Sequence, residues 1–304
     1  MSNVFLRIFL VRSRYTYSIL AIAFIFLLQT SVSFLAADGK HDSITSLQEV
    51  IRLALKNNSK KRSKVRYLPP ENIIFLAKKY YYQIETQREQ LATAKEVQGH
   101  FETGIEKAQE IFDSGEGEVS QADIIKLKLG LSNTLNDIID LKHGLQIGKL
   151  NLGRLLNRDL LDGNYITTTD PIPVDFPYTS FDSYLKAKNL TLPVKKKWNS
   201  DITSSAIDTN QPKKLTEENR QLLYEVYLDV ESSKAKVKLG IKNRKITRAL
   251  LVSEVANYDF GIGDSQELFE ALMLYTRVFS SYLDSVYTLN ITVAKLEKLT
   301  NAIY

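Results

Sequence analysis

The sequence contains no cysteine, which excludes disulfides, thiol nucleophiles and cysteine-based zinc sites. Histidine is also scarce, and the three that occur, His41, His100 and His143, lack a second ligand at metal-binding spacing. No nucleophile stands beside a candidate general base. We therefore predict a protein that is not an enzyme and that needs no metal and no cofactor.

Proline is rare as well: only seven occur, and none lies in residues 71–157 or 215–304. In both windows apolar residues recur mostly at steps of three, four or seven, which places one apolar face along each predicted helix. Each helix is predicted to have about 40 residues and thus a length of about 60 Å. Helices this long need partners along their whole length, as in coiled coils or helical barrels.

The two windows look like copies of one unit. Residues 112–115 (Phe-Asp-Ser-Gly) in the first window match residues 258–261 (Tyr-Asp-Phe-Gly) in the second, and a short helix is predicted before each hairpin. Such self-similarity indicates an internal repeat of a short helix, a linker and a long helical hairpin. Each hairpin is predicted to reverse its direction at glycines, which are Gly115, Gly117, Gly261 and Gly263.

The sequence thus predicts an all-α fold with little or no β-structure, in which two long antiparallel helical hairpins form an α-barrel or coiled-coil type of assembly. The predicted divisions are a signal peptide (1–37), a short helix with a basic linker (38–70), a first long hairpin (71–157), a connector with a short helix (158–214) and a second long hairpin (215–304).

Residues 1–37 have the pattern of a secretory signal peptide. Three arginines precede an apolar run, Ser18–Leu28, and small residues follow it. We expect cleavage after Ser33 or after Ala37. The alternative is an uncleaved membrane anchor, for which the run is short, since a span needs about 20 apolar residues. Removal of the signal peptide takes away the three arginines and lowers the net charge from +5 to about +2. A net charge this small does not favour binding to nucleic acid.

The second reversal resembles a motif of the TolC-like outer membrane efflux protein family, in which Tyr-x-x-Gly leads into Asp-Leu-x-x-Ala at the start of the next helix. Here Tyr258 and Gly261 are followed by Glu267-Leu268 and Ala271. The first half repeats part of the same motif, with Gly117, Ser120 and Asp123 at the family's spacing. The resemblance covers residues 46–157 and 180–301.

The resemblance implies a homotrimer in which each chain supplies two hairpins to a twelve-helix tunnel across the periplasm. The tips of the hairpins would dock onto a periplasmic adaptor of the membrane-fusion type, which links them to an inner-membrane pump. It also implies an exported protein at the periplasm and outer membrane of a Gram-negative-type cell. The expected function is that of a component of an outer membrane efflux or secretion channel, forming the periplasmic tunnel of a tripartite export system.

The sequence departs from the family between each opening helix and its hairpin. Family members carry further helix and two membrane strands there, whereas Asn57–Pro70 and Thr191–Lys214 contain no alternating run of about 9–11 residues. The chain either lacks the membrane strands or is a shortened relative, and its association with the outer membrane stays open. A periplasmic coiled-coil protein that has a structural or partner-binding role, and encloses no channel, is the alternative that this departure favours.

The candidate functional residues lie at the two reversals. The resemblance implies that Glu267 and Glu270, one helical turn apart, face the tunnel entrance, with Asp123 as the matching acid of the first half. Rings of carboxylates in a trimer attract cations. The alternative is a solvated surface at a helix N-terminus, where acids also favour the helix dipole. The resemblance also implies that the turn glycines form the tip that docks onto the adaptor. These are Gly115, Gly117, Gly261 and Gly263.

A basic run, Lys56–Arg66, joins the first short helix to the first hairpin. Its six cations have two interpretations. They form a solvated linker, or they contact anionic lipid headgroups, where a cation gains roughly 1 kcal/mol.

Overall fold

The computed structural model describes residues 46–60, 68–115, 119–161, 170–191 and 213–303. These residues form six helices: α1 (Leu47–Lys60), α2 (Pro70–Ser114), α3 (Gln121–Leu156), α4 (Phe181–Ala187), α5 (Glu217–Asp259) and α6 (Ser265–Ala302). Two strands of two residues each, β1 (Leu190–Thr191) and β2 (Lys213–Lys214), pair in parallel. The predicted all-α fold with two long helical hairpins is confirmed.

Some predictions fall outside the described residues, namely the signal peptide and residues 61–66 of the basic run. The first part of that run, from Lys56 to Lys60, was expected in a linker but is the last turn of α1. It carries no glycine or proline to end the helix, so α1 continues through it.

The starts of the long helices follow from local chemistry. Pro70 occupies the first turn of α2, where its missing N–H leaves no hydrogen bond unmade. Ser120 caps α3 in a reciprocal arrangement with Asp123, and Thr216 accepts a 3.2 Å hydrogen bond from the N–H of Asn219 at the start of α5. Asp264 caps α6 by accepting from the N–H of Glu267 at 2.7 Å. Such caps contribute about 1 kcal/mol each.

The four long helices pack in the order α3, α2, α6, α5. α2 packs on α3 within the first hairpin, α5 packs on α6 within the second, and α2 packs on α6 to join the hairpins. α3 also touches α6, whereas α3 and α5 do not pack on each other and lie at opposite edges. We call the end that carries the two turns the tip and the opposite end the root. α1 packs on α2 and α3 at the root.

Three apolar clusters hold this arrangement together. One cluster at the tip draws on both hairpins and includes Phe101, Leu127, Leu251 and Leu272, each almost fully buried. Two clusters lie at the root, one in each hairpin. Burying a large apolar side chain contributes about 1.5–3 kcal/mol. The tyrosines Tyr81, Tyr82 and Tyr227 are buried in the root clusters, where they pack against other side chains.

An irregular segment, residues 170–178, lies across α6 near the root. Asn290, which is buried, donates to the carbonyl of Ile172 at 3.0 Å and accepts from the N–H of Val174 at 2.8 Å. Lys234 of α5 donates to the carbonyl of Phe176 at 3.1 Å. The side chain of Val174 packs against both root clusters. This segment therefore fixes the root of one hairpin to the root of the other.

One carboxyl group is buried in the shaft of α2. The side chain of Glu85 is 5% exposed, and burial raises its pKa to about 7, although the hydrogen bond from Tyr81 and the charge of Arg88 oppose this shift. A charged carboxylate in such surroundings costs free energy, because its lost hydration is only partly replaced.

We expect Glu85→Gln to stabilise the fold at pH 8, by about 1–3 kcal/mol, because glutamine fills the same space without a charge. The pKa of Glu85 is raised in the folded state, so its favourable contribution is complete below about pH 4.5 and is lost as the pH rises through about 7. Urea unfolding at pH 4.5, 6 and 8 should show a difference between variant and wild type that grows with pH. Glu225→Gln, at an exposed position of α5, is the control. A difference that does not change with pH contradicts the prediction.

Candidate functional site at the hairpin tips

The second turn, between α5 and α6, depends on two glycines. Gly261 has φ +73°, a left-handed conformation that glycine adopts at little cost. The N–H groups of Ile262 and Gly263 both donate to the carbonyl of Asn257, at 3.0 and 3.1 Å. At Gly263 a Cβ atom would lie 3.0 Å from Cβ of Asn257 and 3.1 Å from the backbone nitrogen of Tyr258. Both glycines are thus needed for the close reversal.

The first turn begins in the same way. α2 ends at Ser114, and Gly115 follows with φ +67° and donates its N–H to the carbonyl of Phe112 at 3.3 Å. Gly117 lies outside the described residues. The left-handed glycines occupy matching places in the two repeats, as the sequence predicts. Their proposed role in docking an adaptor remains a prediction.

The two tips lie side by side. Tyr258 of α5 donates from its hydroxyl to the carbonyl of Gly104 in α2 at 3.1 Å, and Lys107 of α2 pairs with Asp259 at 2.6 Å. On the other side, Lys126 of α3 donates to the side-chain oxygen of Gln266 in α6 at 2.8 Å. The starts of α3 and α6, which carry the three predicted entrance acids, are therefore neighbours.

Glu267 and Glu270 both lie on the surface, in the first two turns of α6. The backbone N–H of Glu267 donates to the side chain of Asp264, and the side chain of Glu270 accepts from Gln266 at 2.8 Å. Neither carboxylate forms an ion pair within the part of the chain that the structure describes. Both are available to a solute or a partner, and their position facing a tunnel remains a prediction.

Asp123 has a structural role at the start of α3. Its carboxylate accepts hydrogen bonds from the hydroxyl of Ser120 at 2.6 Å and from the N–H of Ser120 at 3.1 Å. It also lies 3.5 Å from the ammonium group of Lys126. The hydrogen bonds from Ser120 lower the pKa of Asp123, so the group stays ionised. This capping accounts for an acid at position 123, whereas an entrance role for it remains a prediction.

Two large apolar residues at the second turn were not predicted as site residues. Phe260 is 81% exposed and Ile262 is 78% exposed, the highest values among the large apolar side chains described. Turns usually carry polar residues. A phenylalanine and an isoleucine on either side of Gly261 are therefore unusual, and this was the feature of the sequence from which a contact site at the turn could have been predicted. Side chains of this kind at a protruding end suit contact with a partner.

No group of three metal-ligating side chains occurs among the described residues, which include His100 and His143. Within the same residues, no helix combines the length and the apolar character needed to cross a membrane.

Two solved channel structures are similar to this chain in fold. The outer-membrane channel OprN gives a TM-score of 0.53 at 11% identity, over 84% of this chain and 70% of that one. CusC, described with the conformational changes that accompany its folding and transmembrane channel formation, gives a TM-score of 0.52 at 10% identity, over 84% of this chain and 74% of that one. No protein-family model matches the sequence, and no curated protein matches it. The similarity confirms the fold implied by the resemblance to TolC-like proteins.

We expect Gly261→Ala to destabilise the chain by about 1 kcal/mol or more, because alanine is strained at positive φ. Gly99→Ala is a matched control, since Gly99 lies inside α2 with nothing within 4 Å of an added Cβ. That change should stabilise the helix by about 0.5–1 kcal/mol. Thermal or urea unfolding measures both. Equal effects of the two substitutions contradict the assigned turn geometry.

Proposed function

We propose that this chain is a subunit of an export channel in which copies stand side by side and enclose a helical tunnel through the periplasm. The observation that carries the proposal is that each edge helix has two apolar faces. In α3, Leu127, Ile138 and Leu152 face the interior of the chain and are buried. Four other apolar side chains lie on the opposite face and are exposed: Ile125, Leu129, Ile139 and Ile147.

The other edge helix repeats this pattern. In α5, Val226, Val230 and Val237 are buried against α6. The opposite face carries exposed side chains at steps close to whole helical turns: Leu228, Leu239, Ile246 and Leu250. Monomeric proteins rarely leave long apolar stripes in water. Both edges of the packed hairpins therefore need a partner.

A second copy of the chain supplies a suitable partner for each edge. If α3 of one copy packs on α5 of the next, the same contact repeats around an axis, and it closes into a ring of three when the rotation between copies is one third of a turn. The similarity in fold to two outer-membrane channels supports a closed tunnel. We propose a homotrimer of twelve long helices, exported to the periplasm and associated with the outer membrane.

Ile139→Glu in α3 and Ile246→Glu in α5 should each prevent assembly, because each places a charge in the contact between copies. These side chains are 63% and 57% exposed in the single chain, so the fold itself should persist. Light scattering after gel filtration should show a trimer for the wild type and monomers for both variants. Phe260→Glu, which adds the same charge at the tip, should leave the trimer intact. A wild-type chain that is monomeric favours instead a coiled-coil protein that binds partners and encloses no channel.

The tips are the proposed entrance and docking end of the tunnel. Six carboxylates, from Glu267 and Glu270 of three copies, would ring the entrance and favour cations. Phe260 and Ile262 protrude beside them and offer an apolar contact to a periplasmic adaptor, which would connect the tunnel to an inner-membrane pump. Solutes would pass without chemistry, and selectivity would come from this charged end.

Replacing both Glu267 and Glu270 by alanine should lower the preference for cations over anions severalfold, because the ring of negative charge is lost. The measurement is the reversal potential under a salt gradient, with the purified assembly inserted in planar lipid bilayers. Glu225→Ala removes an exposed carboxylate at the root and is the control. Unchanged selectivity in the double variant would count against the entrance role.

A further inference from the structure

A groove runs between α2 and α5 in the middle of the shaft, with α6 as its floor. Its volume is about 880 Å³, within the range of small-molecule sites. The floor consists of the rings of Tyr275 and Phe279, and the small residues Ala92 and Ala249 stand on the two walls. The backbones of α2 and α5 do not pack closely on each other, so α6 forms the floor between them.

Arg244 lines this groove and is held there by aromatic rings. Its guanidinium lies 4.6 Å from the ring centre of Tyr282 and 5.5 Å from that of Phe279. Stacking of this kind orients the cation but does not neutralise it. No carboxylate of the described residues lies within 4 Å of Arg244. Its N–H groups therefore remain able to bind an acidic group.

The neighbouring arginine shows the contrast. Arg248 also lies over a ring, at 5.5 Å from the centre of Tyr275, but it forms an ion pair with Glu96 and donates to the Tyr275 hydroxyl at 3.1 Å. Arg248 is thus committed to holding α5 to α2. Of the two stacked arginines, Arg244 alone is left for a ligand.

The charge balance of the groove favours an anion. Lys245 lines the groove together with the two arginines, against Glu89 and Glu96. Glu96 is engaged by Arg248. Burial, with the nearby charge of Asp170, raises the pKa of Glu89, although Arg88 and Arg244 oppose the shift. Glu89 consequently offsets the cations less than a solvated carboxylate does.

Nearer the root, the face of α6 that forms the floor of the groove is covered by another part of the same chain. Phe279, Val286 and Asn290 recur at helical spacing, so they lie on one face of α6. Beside Asn290 this face is covered by the irregular segment 170–178, whose apolar side chains pack on it. Beside Phe279 no described backbone segment covers it, although the side chain of Arg244 stacks on the ring. The groove therefore accepts a narrow apolar body.

We propose that this groove binds an amphipathic organic anion, with the acidic group of the ligand on Arg244 and its apolar part on Phe279 and on Val252, which is exposed on the α5 wall. The site belongs to a single chain and needs no contact between copies. It therefore goes beyond the proposed channel function, and its test does not depend on assembly.

The test uses the fluorescent anion 1-anilinonaphthalene-8-sulfonate, titrated into the purified chain. Arg244→Gln should weaken binding about tenfold, which corresponds to the loss of one hydrogen-bonded ion pair. Lys242→Gln removes the same charge from an exposed position of α5 outside the groove and should leave binding unchanged. Ala249→Leu changes no charge but fills the groove, and it should weaken binding as well.

Competition with octyl probes then tests the chemistry of the ligand. Octyl sulfate should displace the dye at lower concentration than the uncharged octyl glucoside, because only the sulfate can pair with Arg244. Thermal melting shows whether each variant folds. If Arg244→Gln does not fold, the binding measured for Ala249→Leu tests the proposal instead. Equal displacement by the two probes overturns the proposal. So does binding that is unchanged in Ala249→Leu, or weakened as much by Lys242→Gln as by Arg244→Gln.

Discussion

The two edge helices bury one apolar face inside the chain and leave the other in contact with water. In α5, Val230 and Val237 face α6, while Leu239 and Ile246 point away from it. Apolar surface in water costs about 25 cal/mol for each Å², and no further helix among the described residues covers the second face. The association proposed above removes both stripes from water. The long uninterrupted helices, free of proline after the first turn, keep each stripe straight enough to meet a partner along its length.

The contacts between hairpins differ between tip and root. At the tip, an added Cβ at Gly104 would lie 2.9 Å from the side chain of Leu268, and one at Gly130 would lie 3.0 Å from the ring of Phe269. The two hairpins therefore meet there in close apolar packing, which tolerates little displacement. At the root, apolar packing of Tyr287 and Ile291 of α6 on the cluster of the first hairpin is accompanied by the ion pair of Lys78 with Glu297. The two hairpins of one chain are therefore held together at both ends.

Much of the fold followed from the sequence because the signals were local. Periodic apolar residues, capping residues and glycines lie within a few positions of the structure they determine, and Gly115 and Gly261 have the left-handed conformations that a reversal needs. The groove beside Arg244 could not be predicted, because it depends on α2 and α5 lying apart on either side of α6. The burial of Glu85 was hidden for a related reason. A glutamate in a helix looks like a surface residue until the packing of its neighbours is known.

Helix stability explains some of the acidic residues near the tip but not all of them. Asp123 and Glu267 lie in the first turns of α3 and α6, where the helix dipole and capping stabilise a negative charge. Glu106 and Glu110 are exposed near the end of α2, whose last turn has no basic residue, and there the dipole opposes them. Helix stability thus accounts for the acids at helix starts but not for those at the end of α2. The negative entrance proposed above accounts for both sets, since the acids at all of these helix ends would then border one opening.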